Sequence, residues 1–359
     1  MSEKELDQLR QQIDELDQQI QLLINERAAC AQQVAVVKHR DNKNPVYYRP
    51  EREAQVLRSI RDRNQGPLSD DVISYLFREI MSACLALEKP LEIAYLGPVG
   101  TYTQAAAIKH FGEGAQLKPL ATIAEVFREV EADGADYGVV PVENSTEGVI
   151  NHTLDMFLKS PLSIAGDIEL PIHHQLLHTT DSLAGIEKIC AHQQALAQCR
   201  EWLDANLPGM ARVAVSSNAE AASMAVNDAS IASIAGDAAA SFYNLNIVAS
   251  NIEDDPNNTT RFLVVGKQIV GKSGLDKTSL MVSVHNKAGA LYRLLEPLAR
   301  HGVSMTRIES RPSRVTKWDY VFFVDLDGHI TDDRVREGLK ELEEEAVQVK
   351  VLGSYPRSS

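Results

Sequence analysis

The chain is predicted to contain three folded parts: an all-α domain, an α/β domain and an α+β module. Three observations carry this. A heptad apolar seam runs through the N-terminal stretch, β-prone runs alternate with helical ones from Leu91 onward, and the last segment reads strand–helix–strand–strand–helix–strand. At 359 residues the chain has room for two or three domains with sizeable cores.

The first helix is expected from Leu6 to Lys38, with Ser2 and Glu5 as a capping box. Leu6, Ile13, Ile20, Arg27 and Val34 share one heptad position, and Leu9, Leu16, Leu23, Cys30 and Val37 share another. Arg27 is the exception in an aliphatic row. A guanidinium withdrawn from water needs an anion, yet neither seam position carries an acid before Asp41. Arg10 and Lys38 flank the same seam. Either these cations are solvated edge residues and Arg27 pairs with a helix carboxylate, or they face an anionic ligand. Arg27 and Lys38 are 11 residues apart, about 16 Å along the axis, which two long side chains can close. Arg10 and Arg27 are 17 apart, about 25 Å, so one small ligand would draw Arg10 from a second, antiparallel copy.

Pro45 and Pro50 interrupt the helix. A short helix is expected over Glu51–Arg63, ended by Gly66-Pro67, and a third from Ser69 or Asp70 to about Glu88. Three helices of unequal length bury little unless they dimerise. From Leu91 the strand candidates are Ile93–Leu96, Gly138–Val142, Ile189–Ala191, Val213–Val215, Ile231–Ile234 and Phe262–Val265, predicting βα units around mostly parallel sheets. A Gly/Ser/Lys linker lies between Val270 and Lys277. The final module is expected as strands Ser279–Val284, Met305–Ser310, Tyr320–Asp325 and Val347–Val351 with helices Leu291–His301 and Asp332–Glu344. The domains expected are 1–90, 91–270 and 277–355.

A formal net charge of −14 argues against a nucleic-acid binder. No signal peptide or apolar membrane span is read, so a cytoplasmic protein without a membrane partner is expected. Four cysteines without C-x-x-C spacing point away from disulfides and zinc, and no metal or cofactor is expected. His173 and His174 follow Pro171, but no third ligand is suitably spaced, and they read as structural.

The pattern LRxxIDxLDxxIxxLLxxR, followed by Lys38 and Arg52-Glu53, resembles the all-helical chorismate mutases over about the first 90 residues. That family rearranges the dianion chorismate into prephenate by a pericyclic step. Holding the reactive conformer and stabilising charge on the ether oxygen is all the protein has to supply. The resemblance implies a shared dimer site in which Arg27 and the other chain's Arg10 grip carboxylates and Lys38 donates to the ether oxygen. Glu53 would hold the substrate hydroxyl and Arg52 would support the site. Two positions depart from the family pattern: Glu88 stands where a Gln is usual, and Cys84 where a small hydroxyl residue is. A protonated Glu88 can donate to the ether oxygen and an ionised one repels its charge. Mutase activity is therefore expected to fall as pH rises, with Glu88→Gln flattening the fall. The alternative is a solvated helix end beside Lys89.

YLGPxGTYTQAA, GVVPVENSTEG, AHxQALAQC and TTRF together closely resemble prephenate dehydratase, across about Leu91 to Val270. The resemblance implies two α/β lobes around a cleft, like periplasmic binding proteins, and conversion of prephenate to phenylpyruvate with loss of carbon dioxide and the ring hydroxyl. Departure of hydroxide calls for a proton donor, and the TRF motif implies Thr260 either for that donation or for orienting the leaving hydroxyl. Arg261 would bind a carboxylate bidentately or, alternatively, brace its strand through an ion pair. Glu143, Asn144, Ser145, Gln198, Thr101 and Phe262 complete the expected binding set.

Asn286 to Tyr292 and Glu309-Ser310-Arg311-Pro312 resemble the two signatures of ACT domains, which bind phenylalanine between paired domains. Asn286, Gly289, Ala290, Leu291, Glu309, Ser310 and Arg311 are the implied regulatory residues, with backbone N–H groups near Gly289 taking the carboxylate. Along its length the chain thus resembles the bifunctional chorismate mutase–prephenate dehydratases with an ACT module. The resemblance implies chorismate and prephenate as substrates, phenylalanine as effector, and a homodimer or a pair of dimers. Alternatives are an arogenate-preferring dehydratase and a non-catalytic amino-acid sensor on the same folds.

Overall fold

A computed structural model describes residues 3–41, 46–285, 287–312 and 320–358, with the side chains of residues 39 and 41 left aside. The expected cap residue Ser2, Pro45 and the regulatory candidate Asn286 lie outside the described residues. The chain forms two compact units: Met1–Arg49 with Val56–Leu91 and Phe111–Gln116, and Pro50–Gln55 with Glu92–His110 and Leu117–Ser359. Among the described residues no helix is long and apolar enough to cross a membrane.

The first unit is built on α1 (Glu3–Asp41), the part of α2 (Pro50–Arg63) from Val56 onward, and α3 (Asp70–Glu88). Pro50 opens α2, where its missing N–H costs nothing. The Ser69 side chain accepts from the Val72 N–H and caps α3, with Asp70 and Asp71 at its positive end. The Arg61 Nε donates to Ser74 Oγ at 2.9 Å, joining α2 to α3. Along α1 the seam is bare in a single copy: Leu9, Ile13, Leu16, Ile20 and Leu23 are 49–62% exposed.

The second unit continues in chain order. Its first part holds β1 (Glu92–Leu96), α4 (Tyr102–Phe111), β2 (Gln116–Leu120), α5 (Ile123–Glu131), β3 (Tyr137–Asn144), β4 (Gly148–Val149), α6 (Asn151–Phe157) and β5 (Ser163–Pro171). Next come β6 (Gln175–His178), β7 (Lys188–His192), α7 (Gln193–Gln198), α8 (Arg200–Asn206), β8 (Ala211–Val215), α9 (Asn218–Asn227), β9 (Ile231–Ala235), α10 (Asp237–Tyr243) and β10 (Asn246–Ala249). β11 (Thr259–Gly266) follows, then β12 (Asp276–Val284), α11 (Ala290–Arg300), β13 (Met305–Pro312), β14 (Tyr320–Asp327), α12 (Asp333–Glu345) and β15 (Gln348–Pro356).

Two lobes result. One sheet runs β2-β1-β3-β11-β5 with β4 on β3, and the other runs β10-β6-β9-β7-β8. The chain crosses between them twice, over Ile172–His174 and again between β10 and β11. The sheets are mixed rather than mostly parallel: β11 is antiparallel to both β3 and β5, and β6 is antiparallel to β9 and β10. The strands on either side of the crossings enter and leave a lobe in opposite senses, which a simple run of βα units does not require.

The third sheet has the order β13-β14-β12-β15, the ferredoxin-like arrangement expected of the final module. Alternate residues serve opposite faces. Leu280, Val282, Phe322 and Val324 pack beneath Leu294, Leu298 and Leu339 of the two helices. Met281, Val321, Phe323 and Tyr355 join Phe127, Phe157, Ile164 and Leu263 in one core with the first lobe. β12 is consequently buried on both faces. The expected linker is also anchored, because Val270, Ser273, Asp276 and Lys277 are all buried.

Candidate active sites and effector pocket

In the two-lobed part a hydrogen-bonded cluster forms where β3 and β11 end side by side. Register places Thr260 opposite Asn144. The Asn144 Nδ2 donates at 2.8 Å both to Thr260 Oγ and to Asn258 Oδ1. Its Oδ1 accepts from the backbone N–H groups of Thr146 and Glu147, each at 3.1 Å, and from the Thr146 hydroxyl at 2.6 Å. Those backbone donors fix which end of the amide faces Thr260. Thr260 Oγ therefore accepts from Asn144 and keeps its own hydrogen for something else. From the second lobe Gln198 reaches in: its Nε2 donates to Thr146 Oγ at 3.0 Å and its Oε1 accepts from Asn258 at 3.2 Å. Ser145 holds the strand ends together through Thr259.

The cluster thus unites Asn144, Ser145, Gln198 and Thr260 of the expected set, and adds Thr146, which lies inside GVVPVENSTEG, and Asn258, which immediately precedes TTRF. Other expected residues lie elsewhere. The Thr101 hydroxyl donates to Pro98 O at 3.0 Å in the turn before α4. Phe262 is 1% exposed in the strand core. The Arg261 side chain, 11% exposed, contacts Asp325 at 2.8 Å and Asp167 at 3.2 Å. Lys277 also donates to Asp167, at 2.7 Å, and Tyr355 closes the group. Of the two roles open for Arg261, the bracing ion pair is the one its contacts match. Burial works against the guanidinium's charge, and Tyr355, Asp325 and Asp167 outweigh it, holding its pKa above the usual value.

Glu143 meets Arg307 of β13 at 3.0 Å. Arg311 pairs with Asp155 at 2.7 Å and donates to Asn151 O. Lys350 donates to Phe157 O and Ser160 O at 2.8 and 2.6 Å, and burial lowers its pKa. The final module therefore grips α6 at both ends and holds the strand that carries Asn144.

His173 and His174 occupy the first crossing between the lobes. His173 Nδ1 lies 2.7 Å from Glu253 Oε1, and the His174 N–H donates to Glu253 Oε2 at 2.8 Å. Burial pushes the Glu253 carboxyl upward, but the His173 and His174 hydrogen bonds prevail and hold it below its ordinary value. Burial lowers the His174 pKa, against the opposing effects of Gln198 and Glu253. The net effect favours the neutral imidazole.

In the helical unit Arg27 is half-buried and has no carboxylate partner among the described residues. Lys38 Nζ lies 3.5 Å from Glu88 Oε2 and donates to Tyr47 O at 3.3 Å. The Glu88 side chain is 8% exposed, a withdrawn carboxylate rather than a solvated helix end, and Cys84 is buried. Arg10 stands in solvent beside Asp7 at 3.3 Å. On α2, Arg52 is exposed and Glu53 half-buried. In the final module a cavity of about 320 Å³ opens at the start of α11, lined by Gly289, Ala290, Leu291, Tyr292, Ser310 and Phe322 among others. Gly289 is the N-cap with φ of 77°, a conformation glycine adopts freely.

Family descriptions match in three blocks: chorismate mutase type II over residues 9–89, prephenate dehydratase over 93–269 and ACT domain over 278–344. A bifunctional chorismate mutase/prephenate dehydratase of Pseudomonas aeruginosa is 54% identical over 99% of this chain and 98% of its own length. Its counterpart in Stutzerimonas stutzeri is also 54% identical, over the whole of both chains. Among solved structures, a prephenate dehydratase from Arthrobacter aurescens in complex with L-Phe is 36% identical. It aligns over 74% of this chain and 89% of its own with a TM-score of 0.68.

Proposed function

The chain belongs to the bifunctional chorismate mutase/prephenate dehydratases, and on that premise we propose which residues perform each task. The observation that carries the dehydratase assignment is the Asn144 donor on Thr260 Oγ. It leaves the Thr260 hydrogen directed at the ring hydroxyl of prephenate as that group departs. A threonine hydroxyl is too weak an acid to surrender a proton unaided. Its work is to orient the leaving oxygen and to stabilise the charge building there while the carboxylate is lost as carbon dioxide and the ring becomes aromatic. Asn144, Ser145 and Gln198 form the binding shell, supported by Thr101 and Glu143 at its margins.

For the mutase we assign the substrate carboxylates to Arg27 and to Arg10 of a second copy, and the ether oxygen to Lys38 and Glu88. Arg52, Glu53 and Cys84 keep the roles the family pattern gives them. The bare α1 seam and Arg27, without a carboxylate partner among the described residues, support an antiparallel dimer, in which a second copy covers the one and completes the site around the other. Arg10→Ala and Arg27→Ala should each lower mutase turnover by about 100-fold or more. Mixed after co-refolding, the two variants should restore about a quarter of the sites, since one site of each hybrid dimer is intact. Mixtures no more active than their components would rule out the shared site. Glu88→Gln should flatten the decline of mutase rate with rising pH, and unaltered profiles in the variant would exclude Glu88 from the reaction.

Phenylalanine is assigned to the cavity at the start of α11, with its carboxylate on the N–H groups there and its ring against Leu291 and Phe322. The Arthrobacter relative solved with L-Phe supports this. Inhibition requires tighter binding to the state whose cleft is less competent. The three tasks divide at about residues 90 and 270–277, in a cytoplasmic dimer or pair of dimers. An assay following chorismate loss and phenylpyruvate formation, titrated with phenylalanine, tests the whole reading. A chain that turned over neither chorismate nor prephenate would defeat it.

A further inference from the structure

His174, buried to 2% exposure, contacts a residue from each lobe. Its Nε2 is 2.9 Å from Gln198 Oε1 and its Nδ1 is 2.9 Å from the Tyr102 hydroxyl. Tyr102 begins α4 in the first lobe, and its ring lies against Gly236 of the second, where an added Cβ would approach Cε1 to 2.7 Å. Gln198 ends α7 in the second lobe. The crossing strands beside them are tied together, with Ile172 N–H on Asn258 O and Ile252 N–H on His174 O, both at 2.8 Å.

The tautomer of His174 follows from groups that cannot be flipped. The Thr146 and Glu147 backbone donors fix Asn144 Oδ1, so Asn144 Nδ2 faces Asn258 Oδ1. The other end of that amide, Asn258 Nδ2, then faces Gln198, so Gln198 Oε1 must accept. That same oxygen confronts His174 Nε2, which must carry a hydrogen. In the neutral ring Nδ1 then carries a lone pair 2.9 Å from the Tyr102 hydroxyl, whose single hydrogen is shared with the His173 carbonyl oxygen at 2.7 Å.

We propose that His174, in the Nε2–H tautomer that Gln198 Oε1 requires, is a positioning residue of the dehydratase. It is a second donor to Gln198 Oε1 beside Asn258 Nδ2, holding the amide so that Nε2 donates to Thr146 and presents its second hydrogen to the substrate. Without the His174 donor the amide is held on that side by Asn258 alone, at 3.2 Å, and its turned form would offer a carbonyl oxygen to an anionic substrate. This rests on the dehydratase reading of the Thr260 cluster.

The test compares His174→Gln with His174→Asn in the full-length chain, because a Gln amide nitrogen can reach the place of Nε2 and an Asn cannot. His174→Asn should lower dehydratase kcat/KM by about 10- to 100-fold, the size of a lost buried hydrogen bond. His174→Gln should recover most of it, and mutase turnover in the same samples reports intact protein. Tyr102→Phe should fall in between. Nitrogen-15 shifts of the His174 ring should show the Nε2–H tautomer at neutral pH. An Nδ1–H ring, or equal losses in Gln and Asn variants, would overturn the proposal. A wild-type chain inactive on prephenate would instead defeat the dehydratase reading, leaving the tautomer measurement to stand alone.

Discussion

Thr260→Ala is expected to lower prephenate dehydratase kcat by about 100- to 1,000-fold, the usual cost of removing a donor aimed at developing charge. KM should change little, since Thr260 acts on the departing oxygen and the carboxylates are held elsewhere. Mutase turnover should be unaffected. Stability should fall by no more than about 1 kcal/mol, because Asn144 Nδ2 retains Asn258 when Thr260 Oγ is lost. Thr260→Ser, which restores the hydroxyl, should recover activity to within about tenfold of wild type. Phenylpyruvate formation under saturating prephenate measures both variants. Near-normal kcat in the alanine variant would remove Thr260 from the chemistry.

The second large effect concerns the residue beside it. Arg261→Met should destabilise the two-lobed unit by about 3–5 kcal/mol, the cost of leaving a buried partner uncompensated. Asp167 retains Lys277 at 2.7 Å, whereas Asp325 keeps a neutral donor, the Ser279 hydroxyl. Combining Arg261→Met with Asp325→Asn should therefore recover more than half of the loss, while Asp167→Asn should recover less. Urea unfolding of the three variants gives the comparison. Arg261→Met as stable as wild type would show that the ion pairs do nothing for the fold. A loss of prephenate affinity without a loss of stability would return Arg261 to the cleft.

The pattern of hits and misses in the sequence has physical causes. The α1 seam, the Ser69 cap and the final module could be read because periodicity and capping are local. β5 was not anticipated. Its stretch SIAGDIELP includes Asp167, which reads as a loop residue until Lys277 and Arg261, about a hundred residues on, supply its countercharges. β2, QLKPL, carries a Lys and a Pro and lies at the sheet edge, where both are tolerated. Arg261 follows Thr260 in a strand, where neighbouring side chains point to opposite faces, and a register irregularity in the β3 pairing falls between Arg261 and Phe262. Thr146 and Asn258 were visible as polar residues in the right loops. What singles them out is a contact across more than a hundred residues of chain, which no short window contains.

The apolar row along α1 also bears on how this enzyme behaves when it is scarce. In the dimer proposed above, a second copy covers that surface, which would tie the integrity of the mutase to the amount of protein present, by mass action. Dilution would then act on that half of the chain much as a mild denaturant acts on a monomer. Chorismate turnover per chain should fade at low enzyme concentrations at which a self-contained active site would be indifferent.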